Sequence, residues 1–209
     1  MGILRNLRLP LALVSVHVGL TVGAARHSWS SKAVRDWTQP LPADASRPKL
    51  APSPRHRAAV ERVLRMYAGA EAGGAVGGAA GGGEGWAEGW AEGVLFEDPV
   101  MRSVGAAELA ESFRALGALR PRTLDWELMV ETPNQIELDV WQEYEVRGEK
   151  VVLYSRVLVE SDDRGRVTHL VDRWNGVQLR NAAPFALSRR LNGLLAALLA
   201  PLTCDTTLG

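Results

Sequence analysis

Few side chains in this 209-residue sequence are placed to do chemistry on a substrate. The single cysteine, Cys204, excludes an intramolecular disulfide and any cysteine-based metal site. The four histidines, His17, His27, His56 and His169, show no metal-ligand spacing, and only His169 falls in the acidic body of the chain, so no metal is expected. No phosphate loop, dinucleotide fingerprint or Ser-His-Asp order is present, and no cofactor is implied. Carboxyl groups and phenols remain. Asp98 stands in Glu97-Asp98-Pro99, Asp172 in Asp172-Arg173-Trp174-Asn175-Gly176, and Tyr67 at the end of an apolar helical stripe. The chemistry open to such groups is proton transfer. Two carboxylates in one partly apolar pocket push their pKa values apart, the condition for acid–base work. Each residue also has a purely structural reading. Asp before Pro initiates turns and caps helices; Asp172 can pair with an arginine such as Arg156; Tyr67 can pack in a core.

These residues need elements to hold them. Val60, Val63, Leu64 and Tyr67 recur at helical spacing and predict a first helix. Residues 69–93 are dominated by glycine and alanine and carry two copies of Glu-Gly-Trp-Ala, which reads as a low-complexity insertion. After the Glu97-Asp98-Pro99 turn, Ala106, Leu109, Ala110, Phe113 and Leu116 share one face of a second helix. The period then changes to two. Leu124, Trp126, Leu128 and Val130 alternate with polar residues, and Ile136, Leu138, Val140, Gln142, Tyr144 and Val146 line the next apolar face. Turns at Pro133, Gly148 and Gly165 divide residues 124–176 into four strands of an antiparallel meander. On the last strand Thr168, Leu170, Asp172 and Trp174 share a face. Gln142 is the one polar member of its strand face, so it either lines a pocket or bonds to Tyr144 or a backbone group.

The order of helix, insertion, Glu97-Asp98-Pro99 turn, Gly105, Phe113 helix and long strands resembles the SnoaL-like, ketosteroid-isomerase-like members of the nuclear-transport-factor-2-like superfamily. The resemblance covers residues 55–180. It implies an α+β, cystatin-like fold in which a cone-shaped, curved antiparallel sheet wraps around N-terminal helices and leaves a pocket at its open end. It further implies that Asp98 holds the position of the family's proton-shuttling base and Tyr67 that of its oxyanion donor. Asp172 would face Asp98 across the cavity, with Trp174, Leu170, Gln142, Tyr144 and Phe113 binding the ligand. The family's second, carboxylic donor falls at about Val157, which has no polar group. Losing one such donor is worth ~3–4 kcal/mol elsewhere, so steroid isomerisation is not expected.

The flanks carry different signals. Residues 1–65 hold eleven Lys and Arg against three acids, and the remainder thirteen basic against twenty-one acidic residues. An acidic body repels phosphate, so nucleic acid is not an expected partner. Residues 1–35 read as a targeting or signal-anchor segment: Arg5 and Arg8 precede an apolar run at residues 9–25, with a small-residue cleavage site at Val22-Gly23-Ala24. A secretory or membrane location is expected, with a chloroplast or mitochondrial transit peptide as the alternative. Residues 36–54 are a proline-rich linker, and residues 181–209 an apolar helix and tail with Ser188 as candidate N-cap. Three functions fit: binding of a small apolar molecule or a partner protein without catalysis, an isomerase- or cyclase-type enzyme using Asp98, or a scaffold forming a homodimer through its sheet.

Overall fold

The computed structural model describes residues 49–68, 88–116, 119–146, 149–179 and 181–204. The leader, residues 36–48 of the proline-rich linker and residues 69–87 of the insertion lie outside the described residues. So do Gly148 and the residue before it.

Helix α1 spans Pro54–Tyr67. Proline in the first turn gives up an amide that has no partner there anyway. Of the apolar stripe predicted from spacing, Val60, Val63 and Tyr67 are each at most 2% exposed, Leu64 is half-buried, and Met66, outside that stripe, is buried as well. Helix α2 spans Ala106–Leu116 and sends Leu109 and Phe113 into the same core.

The meander forms as expected. Strands β3 (Arg122–Thr132), β4 (Gln135–Val146), β5 (Glu149–Ser161) and β6 (Val167–Trp174) pair antiparallel in chain order. The turn between β5 and β6 uses Gly165 at φ +74°, a left-handed conformation that favours glycine. Two further strands, which sequence pattern does not reveal, extend the sheet: β1 (Trp90–Glu97) and β2 (Arg102–Val104). The order is β2-β1-β6-β5-β4-β3, with β1 parallel to β6 and antiparallel to β2. The sheet is therefore mixed, curved and unclosed.

β1 begins inside the stretch that composition assigns to the insertion. Trp90 is 3% exposed and pairs with Val167, so burial and ladder bonds overrule the weak local preference of Trp-Ala-Glu-Gly for a strand. Register shifts in β1, β3 and β5 supply the bends. The shift between Leu128 and Val130 also ends the predicted alternation. Leu128 is buried, whereas Val130 is exposed.

Helix α3 spans Ala183–Cys204. It starts five residues before Ser188, which is buried within the helix rather than capping it. One face of α3 packs near β2 and α2. There a Cβ on Gly193 would stand 2.2 Å from the Arg102 carbonyl oxygen, so this crossing requires glycine. Leu187, Leu191, Leu194 and Leu195 face outward. Among the described residues, no helix is long and apolar enough to cross a membrane.

Candidate functional site

A cavity of about 270 Å³ opens among α1, α2, β1, β4 and β6. Its apolar wall comes from Phe96, Met101, Phe113, Leu116, Leu119 and the Trp174 ring. The Phe113 ring stands edge-on to both Tyr67 and Phe96, at centroid distances of 5.4 and 5.1 Å. Four polar side chains beside Ser112 complete the lining: Asp98, Asp172, Tyr67 and Tyr144. Among the described residues, no lysine, arginine or histidine lines the cavity.

Asp98 sits where β1 leaves the sheet. Its backbone N–H donates to the Met101 carbonyl at 2.9 Å, and its Oδ1 accepts from the amides of Val100 and Met101 at 2.7 and 2.5 Å. The turn-forming reading of Asp-Pro therefore holds, and the same carboxyl also faces the cavity. It is 7% exposed. Burial, and then the charge of Asp172, push its pKa up to about 7, against the pull of the two amides.

Asp172 is placed by β6 and is 3% exposed. It pairs across the sheet with Val157, while Arg156 pairs with Arg173. Asp172 therefore shares a face with Val157, and Arg156 points to the other side. There Arg156 is bidentate on Asp139, at 2.8 and 3.0 Å, with the Tyr154 hydroxyl donating to the same carboxylate at 2.8 Å. Asp172 is bound instead by the Tyr67 hydroxyl, which donates to Oδ2 at 2.7 Å. Burial raises the Asp172 pKa to about 6, opposed by Tyr67, Ser155 and Trp174. Ser155 is near enough to favour the charged carboxyl, yet neither its Oγ nor Asp172 Oδ1 makes a hydrogen bond of ordinary geometry. The Tyr67 phenol is pushed well above its usual range by burial and then by the Asp172 charge.

Of the residues expected in the site, Asp98, Asp172, Tyr67, Trp174, Tyr144 and Phe113 converge on the cavity. Two do not line it. Leu170 is fully buried in the core, one ladder step before the opening. Gln142 is 1% exposed and accepts through Oε1 from the Tyr144 hydroxyl, so its polar group serves the tyrosine rather than the cavity. Val157 is fully buried and brings no donor, as its side chain requires. Sequence pattern missed Phe96, Met101, Ser112 and Leu119. Phe96 was discoverable as the neighbour of Glu97-Asp98, because a strand residue two before Asp98 shares its face.

Behind Asp98, on the other face of β1, lies a charged cluster. Glu97 is held by His169 Nε2 at 3.2 Å, Arg189 at 3.3 Å and Arg102 at 3.6 Å. The His169 hydrogen bond is foremost in lowering the Glu97 pKa, and the same bond raises that of His169. Arg189, 2% exposed on α3, also donates to the Asp98 carbonyl at 3.2 Å and to Asn181 at 2.7 Å. Asn192 Nδ2 donates to the Val100 carbonyl at 2.6 Å. The C-terminal helix thus grips the backbone of the turn that carries Asp98.

No known family pattern matches the sequence, and no curated protein does. Several solved structures are similar. The protein Rv0760c of Mycobacterium tuberculosis shares 17% identity over 60% of this chain and 94% of its own, with a TM-score of 0.46. The Δ5-3-ketosteroid isomerase of a Mycobacterium species shares 21% over 58% and 94%, with a TM-score of 0.44. An LEH-like epoxide hydrolase of M. tuberculosis shares 14% over 72% and 97%, with a TM-score of 0.43. These likenesses concern architecture, and the activities named are those of the other proteins. The architecture itself, a curved open sheet over helices, is of the α+β kind that the sequence resemblance implies.

Proposed function

We propose that the cavity binds a small, largely apolar molecule and that Asp98, with Asp172 beside it, exchanges a proton with that molecule. The observation that supports this is the convergence of two buried carboxyl groups on one cavity walled mainly by apolar side chains. A volume of about 270 Å³ lies just below the range of roughly 300–1,000 Å³ for drug-sized ligands, which points to a smaller molecule. Asp98, at a pKa of about 7, is present in both forms at neutral pH and can give or take a proton there. Its Oδ1 is committed to the turn, which leaves Oδ2 to meet the substrate. Tyr67 orients Asp172.

The test is carbon–hydrogen exchange. The protein is incubated in deuterium oxide with a panel of small apolar molecules bearing acidic C–H bonds, and deuterium uptake is followed by NMR. Uptake by the wild type that is lost in Asp98→Asn supports the reading. Uptake that persists in Asp98→Asn, or no uptake by any member of the panel, removes the proton-transfer half. The shift of the Trp174 indole N–H resonance, identified by its loss in Trp174→Phe, reports binding independently and decides the other half.

A further inference from the structure

We infer that the polar group of the molecule this cavity receives is an organic ammonium, held by Asp172 beneath the aromatic walls. The inference rests on the binding reading above and narrows it to one chemical class.

The argument is a census of hydrogen-bond capacity. The Tyr67 hydroxyl gives its proton to Asp172 Oδ2, and the Tyr144 hydroxyl gives its own to Gln142 Oε1. Ser112 Oγ donates to the Glu108 carbonyl at 2.9 Å, deeper in its own helix. The two tyrosine hydroxyls therefore have lone pairs rather than protons left for a ligand, and Ser112 Oγ is also engaged with Ser103 Oγ at 2.9 Å. Asp172 Oδ1 is buried and accepts no hydrogen bond of ordinary geometry from the protein. Ser155 and Trp174 favour the charged Asp172 carboxyl, yet the capacity of this oxygen is not filled by a bond of ordinary geometry; a buried acceptor left so is costly, and a donor arriving from the cavity is favoured there.

A neutral carbonyl or ether brings only acceptors, which meet the proton of Asp98 in its acid form but leave Asp172 Oδ1 unfilled. An alcohol brings one donor and no charge. An ammonium brings up to three donors and a positive charge, and charge-assisted hydrogen bonds are roughly twice as strong as neutral ones. The walls suit such a cation. Phe96, Phe113, Trp174, Tyr67 and Tyr144 surround the carboxyls, and aromatic faces attract cations. Arg189, whose charge acts on Asp98, is held by the Asp98 backbone carbonyl, Asn181 and Glu97, and among the described residues no lysine, arginine or histidine lines the cavity. With Asp172 as anchor, Asp98 is left to exchange a proton at a neighbouring atom of the ligand.

The probes are benzylamine, benzyl alcohol and benzaldehyde, which share one apolar body and differ in polar group. Affinities are read from shifts of the Trp174 indole N–H in NMR titrations of the full chain, between pH 5.5 and 7.5. The titrating and charged groups that face the two carboxyls are Tyr67 from α1, Tyr144 from β4 and, through the Asp98 backbone, Arg189 from α3. The phenols stay protonated across this range. Benzylamine is expected to bind about tenfold or more tightly than the alcohol at pH 7.5, and to weaken as the pH falls and the carboxyls protonate. Asp172→Asn keeps the shape and the acceptor for Tyr67 and is expected to remove that preference. Three results overturn the inference while leaving the pocket reading in place: equal or tighter binding of the alcohol or aldehyde, an amine affinity that rises as pH falls, or an amine preference unchanged in Asp172→Asn. Failure of all three probes to shift any cavity resonance overturns the inference and the pocket reading together.

Discussion

Replacing Asp98 with asparagine should make the protein less sensitive to alkali. The substituted amide keeps an Oδ1 that accepts from the Val100 and Met101 amides, so the turn survives, but it cannot ionise. In the native fold Asp98 titrates at about 7 rather than at its usual 3.8. The folded state thus holds a proton that the unfolded state has already lost, and stability falls as pH rises through this window. At about 1.4 kcal/mol per factor of ten, the full penalty for ionising Asp98 in the fold is about 4 kcal/mol. Between pH 5 and pH 8 the part incurred is about 2–3 kcal/mol. Urea unfolding of wild type and Asp98→Asn at both pH values reads this amount together with the accompanying shift of the coupled Asp172, the other titrating groups being common to the two proteins. The wild type should lose about 2–3 kcal/mol relative to the variant on going from pH 5 to pH 8. Asp98→Ala, which also removes the acceptor for two amides, should be destabilised by about 1–3 kcal/mol even at pH 5. Parallel pH dependences in wild type and Asp98→Asn would falsify the assignment of Asp98 as a buried carboxyl protonated near neutrality.

Further expectations concern the supports of the site. Tyr67→Phe removes the donor to Asp172 Oδ2 and should cost about 1–3 kcal/mol at pH 8, less at pH 5. It should also raise the Asp172 pKa above about 6, readable from carboxyl carbon shifts, and an unchanged value would sink the hydrogen bond. Arg189→Met strips Glu97 of an ion pair and the Asp98 carbonyl of a donor, and should cost about 3 kcal/mol in urea unfolding. Gly193→Ala forces a methyl against the Arg102 carbonyl. The loss of about 1–3 kcal/mol from overpacking should outweigh the ~1 kcal/mol gained in helix preference, so a raised melting temperature would contradict the packing of α3.

What is local in this protein can be read from the order of its residues. The 3.6-residue stripe of Val60, Val63 and Tyr67 and the period-two runs of residues 124–176 are written in neighbouring side chains, so two helices and the four-strand meander were legible. The Glu97-Asp98-Pro99 turn was legible for the same reason, and through the family resemblance so was the grouping of Asp98, Asp172 and Tyr67. Features that depend on register and on distant contacts emerge only when the chain is folded. Trp90-Ala91-Glu92-Gly93 has no strand signature of its own and becomes β1 only because β6 offers it a ladder. Whether Arg156 serves Asp172 or Asp139 turns on a one-residue step in pairing, since each step reverses the face. For Gln142 the sequence leaves open a place in the cavity or a bond to Tyr144, and only the folded register puts the Tyr144 hydroxyl against it. The grip of α3 on the Asp98 turn joins residues about ninety positions apart, through one arginine, one asparagine and one glycine. Periodicity describes which face a residue occupies on its own element. It carries no information about which distant backbone that face will meet, and the acid–base character of Asp98 depends on that meeting.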